Sequence, residues 1–282
     1  MPPAIDADRI RRLLRHEAQV HAIPGRVLSD LGDGLLLHDP FDPEPFWNRL
    51  EAVRWPDQPE AFDRRLVNVL VRFAVVGRQP HVWVTPSADE PRDLAARLAA
   101  NGFKDMGLGH LMVAWAPGLD RAALRRPAPP GVLVERISVA RAAALPHGEG
   151  PPVAPDVVGV LMAAFGVEEE RRAGVTAETL ASLADPRFTH YLVRRDGTPV
   201  AAARRATFDG MSYLSSIGVV PSARGQGLGA LVTSTAMADA IDAGSEWLHL
   251  GVFADNLAAK RLYERLGFLD GSRPSPDMLL TG

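Results

Sequence analysis

The stretch "SIGVVPSARGQGLGALVTS", Ser216 to Ser234, follows an apolar run and leads directly into a helix-like one. Gly225, Gly227 and Gly229 alternate there with Gln226 and Leu228. Glycines at a strand-to-helix junction let backbone N–H groups and the positive end of a helix dipole come close to an anion, commonly a phosphate. Which phosphate loop this is decides the fold, because each kind belongs to a different sheet.

A P-loop needs Gly-Lys-Ser/Thr, with the lysine reaching the terminal phosphates. The chain has only Lys104 and Lys260, preceded by Phe103 and Ala259, so that motif is excluded. A dinucleotide fingerprint is matched by Gly225, Gly227 and Ala230 as G-x-G-x-x-A. Its context fails, since Pro221 to Arg224 separate strand from glycines and Glu246 begins the next strand rather than ending it. The third reading uses the whole string. Arg224-Gly225-Gln226-Gly227-Leu228-Gly229 forms R-x-x-G-x-G just after Val-x-Pro, and an "N…LYE..GF" signature follows at Asn256, Leu262, Tyr263, Glu264, Gly267 and Phe268. Together these resemble the Gcn5-related N-acetyltransferase (GNAT) family. The resemblance covers Gly131 to Gly282 well and the first half faintly.

The resemblance implies an acetyl-CoA site. Backbone groups of Ile217, Gly218 and Val219 would meet the pantetheine arm as an added strand does. Arg224, Gly225, Gln226, Gly227, Leu228 and Gly229 would hold the pyrophosphate, and Asn256 would lie near the cofactor arm. Asparagine there is equally suited to capping the last helix. Tyr263 would donate a proton to the departing CoA thiolate, although it also sits on the apolar stripe of its helix. Many members carry a carboxylate near the positions of Ser215 and Ser216. Here His249, on the neighbouring strand, is the candidate base, directly or through water, with a water relay or a purely structural histidine as alternatives. The acidic run Glu168-Glu169-Glu170 is a solvated helix end or the rim of an amine site.

Composition sets the outer limits. With 46% hydrophobic and 23% charged residues, the chain of 282 residues can bury a core and is long enough for two domains. A net charge of −3 gives no footprint for nucleic acid or an anionic membrane, and no apolar run is long enough for a membrane span. The N-terminus "MPPAIDADRIRRLLRHEA" lacks a signal-peptide core and places Ile10, Leu13 and Leu14 on one helix face. The expectation is a cytoplasmic protein. There is no cysteine, so disulfides and a cysteinyl acyl-enzyme are excluded. No H-E-x-x-H or similar pair occurs among the eight histidines, and no metal is expected.

"APGLDRAALRRPAPPGV", Ala116 to Val132, reads as a linker. The expected organisation is a degenerate GNAT-like domain over 1–116, a linker over 117–131 and a catalytic GNAT domain over 132–282. The fold class is α/β, each half a mixed, mainly antiparallel sheet flanked by helices. "LPHGEGPPVAP", Leu145 to Pro155, reads as a long loop inside the second domain. "AARLAANGF" in the first half resembles "AKRLYERLGF" in the second, and Pro56–Phe103 are spaced as Pro221–Phe268 are. Duplication and shared helix habits explain this about equally well. The first half has no glycine loop and no tyrosine.

The expected activity is acyl-CoA-dependent N-acyl transfer, most simply acetyl, to an amine of a small molecule or peptide. A non-catalytic acetyl-CoA sensor or interaction protein is the rival, and a nicotinamide enzyme stands third.

Overall fold

The computed structural model describes residues 3–23, 25–139 and 153–281, so most of the loop expected over Leu145 to Pro155 lies outside the described residues. By packing, the chain forms two units. An N-terminal unit holds Pro3–Val113, Gly251–Arg261 and the chain from Leu269 onward, and a C-terminal unit holds Ala114–Leu250 and Leu262–Phe268.

The N-terminal unit opens with α1 (Ala7–Ala22), whose first turn is capped by the Asp6 carboxylate accepting from the Arg9 N–H. Ile10, Leu13 and Leu14 are all buried, as their spacing requires. Then come β1 (Val27–Asp30), β2 (Leu35–His38), β3 (Arg49–Glu51), α2 (Pro59–Val75), β4 (His81–Trp83), α3 (Leu94–Ala100) and β5 (Phe103–Trp115). Phe62, Leu66, Val69 and Phe73 recur on one face of α2 and pack with Leu50, Val82, Leu94 and Phe103 into one core.

The C-terminal unit begins with α4 (Arg121–Leu124) inside the expected linker, then β6 (Val132–Ile137), α5 (Val153–Phe165) and α6 (Arg172–Leu183). Along the chain follow β7 (Phe188–Arg195), β8 (Thr198–Phe208), β9 (Met211–Val219), α7 (Leu228–Asp242), β10 (Trp247–Phe253) and α8 (Leu257–Arg265), of which Gly251–Arg261 is counted in the N-terminal unit. The β7–β8 hairpin turns at Asp196 and Gly197, with φ of 47° and 83°, the left-handed pair of a type I′ turn. The strands stand in the order β6-β7-β8-β9-β10, antiparallel except for the parallel β9–β10 pair. Neighbouring residues on a strand face opposite ways. Arg204 reaches Glu178 of α6 while Arg205 reaches the Asp239 carbonyl of α7, so those helices cover opposite faces.

The chain closes with β11 (Leu269–Asp270) and β12 (Ser275–Leu280). Both pair within the N-terminal unit: β11 with β5, and β12 between β4 and β5. That sheet runs β1-β2-β3-β4-β12-β5. Here too one neighbouring pair, β3–β4, is parallel. The chain therefore runs twice through one succession: strand, helix, parallel strand, helix. The repeat extends to the backbone. Ala52 has φ of 55° just after β3, and Ser216 has φ of 53° within β9.

Candidate active site

Gly225 and Gly227 have φ of 74° and 77°, the left-handed region that glycine enters without a steric penalty. A Cβ on either would meet nothing within 4 Å, so the space over the loop is open. Gly227 is also the N-cap of α7, and among the described residues no side chain caps that helix start. Its first N–H groups and the dipole end are thus presented to an anion. Gly229 differs: its Cβ would make ordinary contact with Leu262 at 3.4 Å and Val219 at 3.6 Å. Leu228 is buried and anchors the helix in the core.

Two polar residues of the loop, both exposed, bond back to the protein. Arg224 donates from Nη2 to the Ala164 carbonyl at 2.7 Å and from Nε to the Val219 carbonyl at 3.2 Å. It thereby satisfies an orphan carbonyl in the last turn of α5 and ties the loop to β9. Gln226 accepts from Arg195 Nη1 and donates to the Ser222 carbonyl at 3.4 Å.

Upstream, the β8–β9 register slips between Ala202↔Gly218 and Arg204↔Ser215, a β-bulge around Ser216 and Ile217. A non-glycine residue held at φ of 53° costs roughly 1–3 kcal/mol, and such bulges re-aim a strand beside functional sites. The parallel β9–β10 ladder runs only from Trp247↔Met211 to His249↔Tyr213. Beyond it, β9 runs on through Leu214–Val219 while keeping its β8 partners. Gly218 serves packing as well: a Cβ there would stand 2.7 Å from the Ala164 Cβ.

Tyr263 is buried in the C-terminal unit, its ring edge-on to Phe268 with centroids 6.0 Å apart. Burial pushes its phenol up to about 12. His249 is fully buried with its ring 5.0 Å from that of Tyr213. Asn256 belongs to the other unit, where its Oδ1 accepts from the Ala259 N–H at 3.2 Å and caps α8.

A polar row that sequence reading missed lies on the α6 face of the sheet. His190, Arg204 and Ser215 stand in cross-strand register on β7, β8 and β9. Arg204 is 5% exposed; its Nε donates to Ser215 Oγ at 3.1 Å and its Nη1 to Glu178 Oε1 of α6 at 2.8 Å. His190 Nε2 is bonded to Ser182 Oγ at 2.9 Å, and burial, helped by Arg204, lowers its pKa to about 3. Tyr213 and His249 lie on the same face one row along. Of the acidic run, Glu169 pairs with Arg172 at the surface, just ahead of α6. Among the described residues no group of three or more His, Cys, Asp or Glu is placed to hold a metal, and no helix is long and apolar enough to cross a membrane.

In the N-terminal unit the corresponding backbone is already engaged. After Ala52, the Val53 N–H donates to Asp89 Oδ1 at 3.0 Å, the Glu90 N–H donates to the Val53 carbonyl and the Trp55 N–H to the Glu90 carbonyl, both at 2.9 Å. Residues Asp89 and Glu90 thus lie along this segment as a short parallel strand would, with Arg54↔Glu90 as its bridge. The following helix starts with Pro59, which has no N–H to offer.

Comparison with known proteins agrees with this geometry. The Acetyltransferase (GNAT) family model matches residues 156–268. A mycothiol acetyltransferase of Nocardiopsis dassonvillei is 50% identical over 52 residues, 18% of this chain and 16% of its own length. That of Mycobacteroides abscessus is 28% identical over 220 residues, 74% of this chain and 68% of its own. Among solved structures, a GCN5-related N-acetyltransferase from Kribbella flavida superposes with a TM-score of 0.69 at 22% identity, covering 96% of this chain and 95% of that one. A tandem GNAT protein from the clavulanic acid biosynthesis pathway gives 0.61 at 17% identity, covering 93% and 86%. These two likenesses concern the fold. The glycine loop, bulged strand and "LYE" helix all lie inside the matched segment, so residues 156–268 carry a domain of the Acetyltransferase (GNAT) family.

Proposed function

We propose that the chain transfers an acetyl group from acetyl-CoA to an amine of a small molecule or peptide, by direct attack of the amine on the thioester. The observation that carries this is the pairing of an uncapped α7 N-terminus, open over Gly225 and Gly227, with a bulged β9 that outruns its parallel ladder. The first suits a pyrophosphate and the second an extended amide-bearing arm. In the reaction the amine nitrogen bonds to the carbonyl carbon, the tetrahedral intermediate expels the thiolate, and the amine sheds its proton. Much of the rate would come from juxtaposition.

Tyr263 is the proposed partner of the leaving sulfur. With a phenol near 12 and a thiol near 8.5, complete proton transfer to thiolate is uphill by roughly 5 kcal/mol. Hydrogen-bond donation that stabilises the departing sulfur is the cheaper role, followed by protonation from solvent. His249, fully buried beside Tyr213, is the proposed side-chain base only if a water connects it to the amine. Arg224 and Gln226 we assign to holding the loop, leaving pyrophosphate contact to backbone N–H groups.

We further propose one cofactor site per chain. Asp89 and Glu90 occupy in the N-terminal unit the backbone groups that β9 keeps for a ligand. That half would be a degenerate GNAT-like domain, and the functional division is 1–116, 117–131 and 132–282, with C-terminal segments packing back into the first unit. Serines at 215 and 216 in place of a carboxylate favour the rival, a non-catalytic acetyl-CoA sensor. A thiol-release assay over alkyl-, aryl- and sugar-amines and N-terminal peptides separates the two. The name of the curated relatives adds the mycothiol series to that panel. Release above the amine-free rate supports the transferase; saturable acetyl-CoA binding with no release from any amine supports the sensor.

A further inference from the structure

The N-terminal unit carries a cavity of about 180 Å³ that owes nothing to the 224–229 loop. α1 gives Arg11, Arg12 and Arg15 to its wall, the end of β1 and the turn after it Asp30 and Gly32, and the segment after β3 Ala52 and Arg54. Four guanidiniums therefore line one small space in a chain whose net charge is −3. Like charges gathered in this way repel, and the wall answers them with a single carboxylate. That one is engaged at both oxygens: Asp30 Oδ1 accepts from the Gly32 N–H at 2.9 Å and Oδ2 from Arg15 Nη1 at 2.8 Å. Arg11 pairs with Asp8 at 2.9 Å and Glu90 at 3.0 Å, two carboxylates that are not part of the wall. Their side chains are 90% and 53% exposed, and ion pairs so open to water contribute little. Arg54 donates to the Gly32 carbonyl at 2.9 Å, and Arg12 makes no hydrogen bond or ion pair among the described residues. Neither of these two guanidiniums bonds a carboxylate.

We propose that this cavity is an anion site that takes a phosphate group, free or at the end of a monoester, with Arg12 and Arg54 as its contacts and Arg11 and Arg15 adding to the positive field. Guanidinium forks match phosphate oxygens, and charge-assisted hydrogen bonds of this kind are the strong ones. A planar carboxylate is satisfied by one fork. Guanidiniums brought by separate elements, α1 and the segment after β3, suit a tetrahedral group with oxygens in several directions. The volume lies below the roughly 300–1,000 Å³ of pockets that enclose a drug-sized ligand, so a whole CoA does not fit and one acetyl-CoA per chain still holds. The position gives the site a consequence. Ala52, with φ of 55°, is on the wall, and Arg11 Nη2 also donates to the Ala88 carbonyl at 2.6 Å, next to the Asp89 and Glu90 that pair along the backbone after Ala52. A bound phosphate would join α1 to that segment and stabilise the folded N-terminal unit by mass action. The site is independent of whether the chain turns over acetyl-CoA.

The test uses the full-length chain in a HEPES buffer of low ionic strength, with excess acetyl-CoA present to fill the 224–229 loop. Calorimetric titrations with inorganic phosphate, glycerol phosphate and succinate follow. Phosphate should bind once per chain with a dissociation constant of roughly 1 mM or tighter, and the affinity should fall as salt is added. Succinate should bind more weakly than phosphate. Arg12→Gln and Arg54→Gln should each weaken phosphate binding roughly 10- to 100-fold, the loss of a charge-assisted hydrogen bond, and leave acetyl-CoA affinity unchanged. Arg12 is exposed and has no bond within the protein to lose, so that variant should fold as the parent does. Tighter binding of the monoester gives the cavity to the phosphate end of a metabolite, the reverse order to phosphate itself, and either supports the site. Absence of saturable phosphate binding, succinate bound as tightly as phosphate, or full phosphate affinity in a folded Arg12→Gln, Arg54→Gln double variant would overturn the proposal.

Discussion

The loop glycines make separable demands, and Gly227→Ala is the substitution that exposes them. At φ of 77° an alanine meets no neighbour within 4 Å, so its whole cost is backbone strain. For an L-residue in the left-handed region that is roughly 1–2 kcal/mol, or a factor of about 5–30 in an equilibrium constant. If the free loop relaxes and reforms only around the pyrophosphate, acetyl-CoA affinity falls by that factor and stability is kept. If the loop stays in place, stability falls by the same energy and affinity is kept. The two losses should sum to roughly 1–2 kcal/mol either way. Gly229→Ala is the internal control. It stands in a helix with ordinary contacts at 3.4 and 3.6 Å, so it should be neutral or gain up to about 1 kcal/mol of stability. Gly218→Ala places a Cβ 2.7 Å from that of Ala164 and should cost about 1–3 kcal/mol of stability by overpacking. Isothermal calorimetry with acetyl-CoA and urea unfolding on all three variants gives the numbers. A Gly227→Ala protein indistinguishable from the parent in both, or a Gly229→Ala protein that binds worse than Gly227→Ala, would refute this reasoning.

Tyr263→Phe should lower kcat roughly 10- to 100-fold, toward the lower end of general-acid effects, with the acetyl-CoA dissociation constant within about twofold; full activity across the pH range would remove the hydroxyl from the mechanism. His190 is held neutral down to about pH 3 in the folded chain, whereas the unfolded chain protonates near 6.5. Its contribution to stability is therefore present above pH 6.5 and lost as pH falls, by about 2 kcal/mol at pH 5. Urea midpoints at pH 5 and 7.5 should show this acid limb flattened in His190→Gln, and an unchanged limb would contradict it. Asp89 behaves oppositely. Burial raises its carboxyl to about 7, so its stabilising proton is fully in place below pH 3.8 and is lost as pH rises through 7. Asp89→Asn should reduce the fall in stability between pH 5 and 8 by up to about 2.5 kcal/mol; an identical slope in parent and variant would show that Asp89 is ionised throughout.

The C-terminal succession from β7 to α8 was legible because independent local signals coincide there. Asp196-Gly197 marks a hairpin, Pro221 closes a strand, the glycines open α7, and Gly267 with φ of 97° closes α8. β1, β2 and β3 left no comparable mark, being only three or four residues long. β12 shows strand character in sequence, but its seat between β4 and β5 is set by tertiary register alone. Site residues divide in the same way. Positive φ at Gly225 and Gly227 is a local property and could be inferred from glycine spacing. Arg224 suggested charge for a phosphate, yet its guanidinium reaches the Ala164 carbonyl, 60 residues earlier in the chain. Glu178, Arg204 and Ser215 come from three elements and share no spacing, so only the β8–β9 register and the packing of α6 bring them together. The pairing of Asp89 and Glu90 with the backbone after Ala52 is invisible for the same reason.

The central claim is a single acetyl-CoA site built on the 224–229 loop. Calorimetric titration of the whole chain with acetyl-CoA, with NAD as comparison, tests it most directly. The account predicts one acetyl-CoA bound per chain, affinity weakened when Gly225 and Gly227 are both changed to alanine in a protein that remains folded, and no NAD binding. Two equivalents per chain, unchanged affinity in the folded double variant, or NAD binding in place of acetyl-CoA would contradict it.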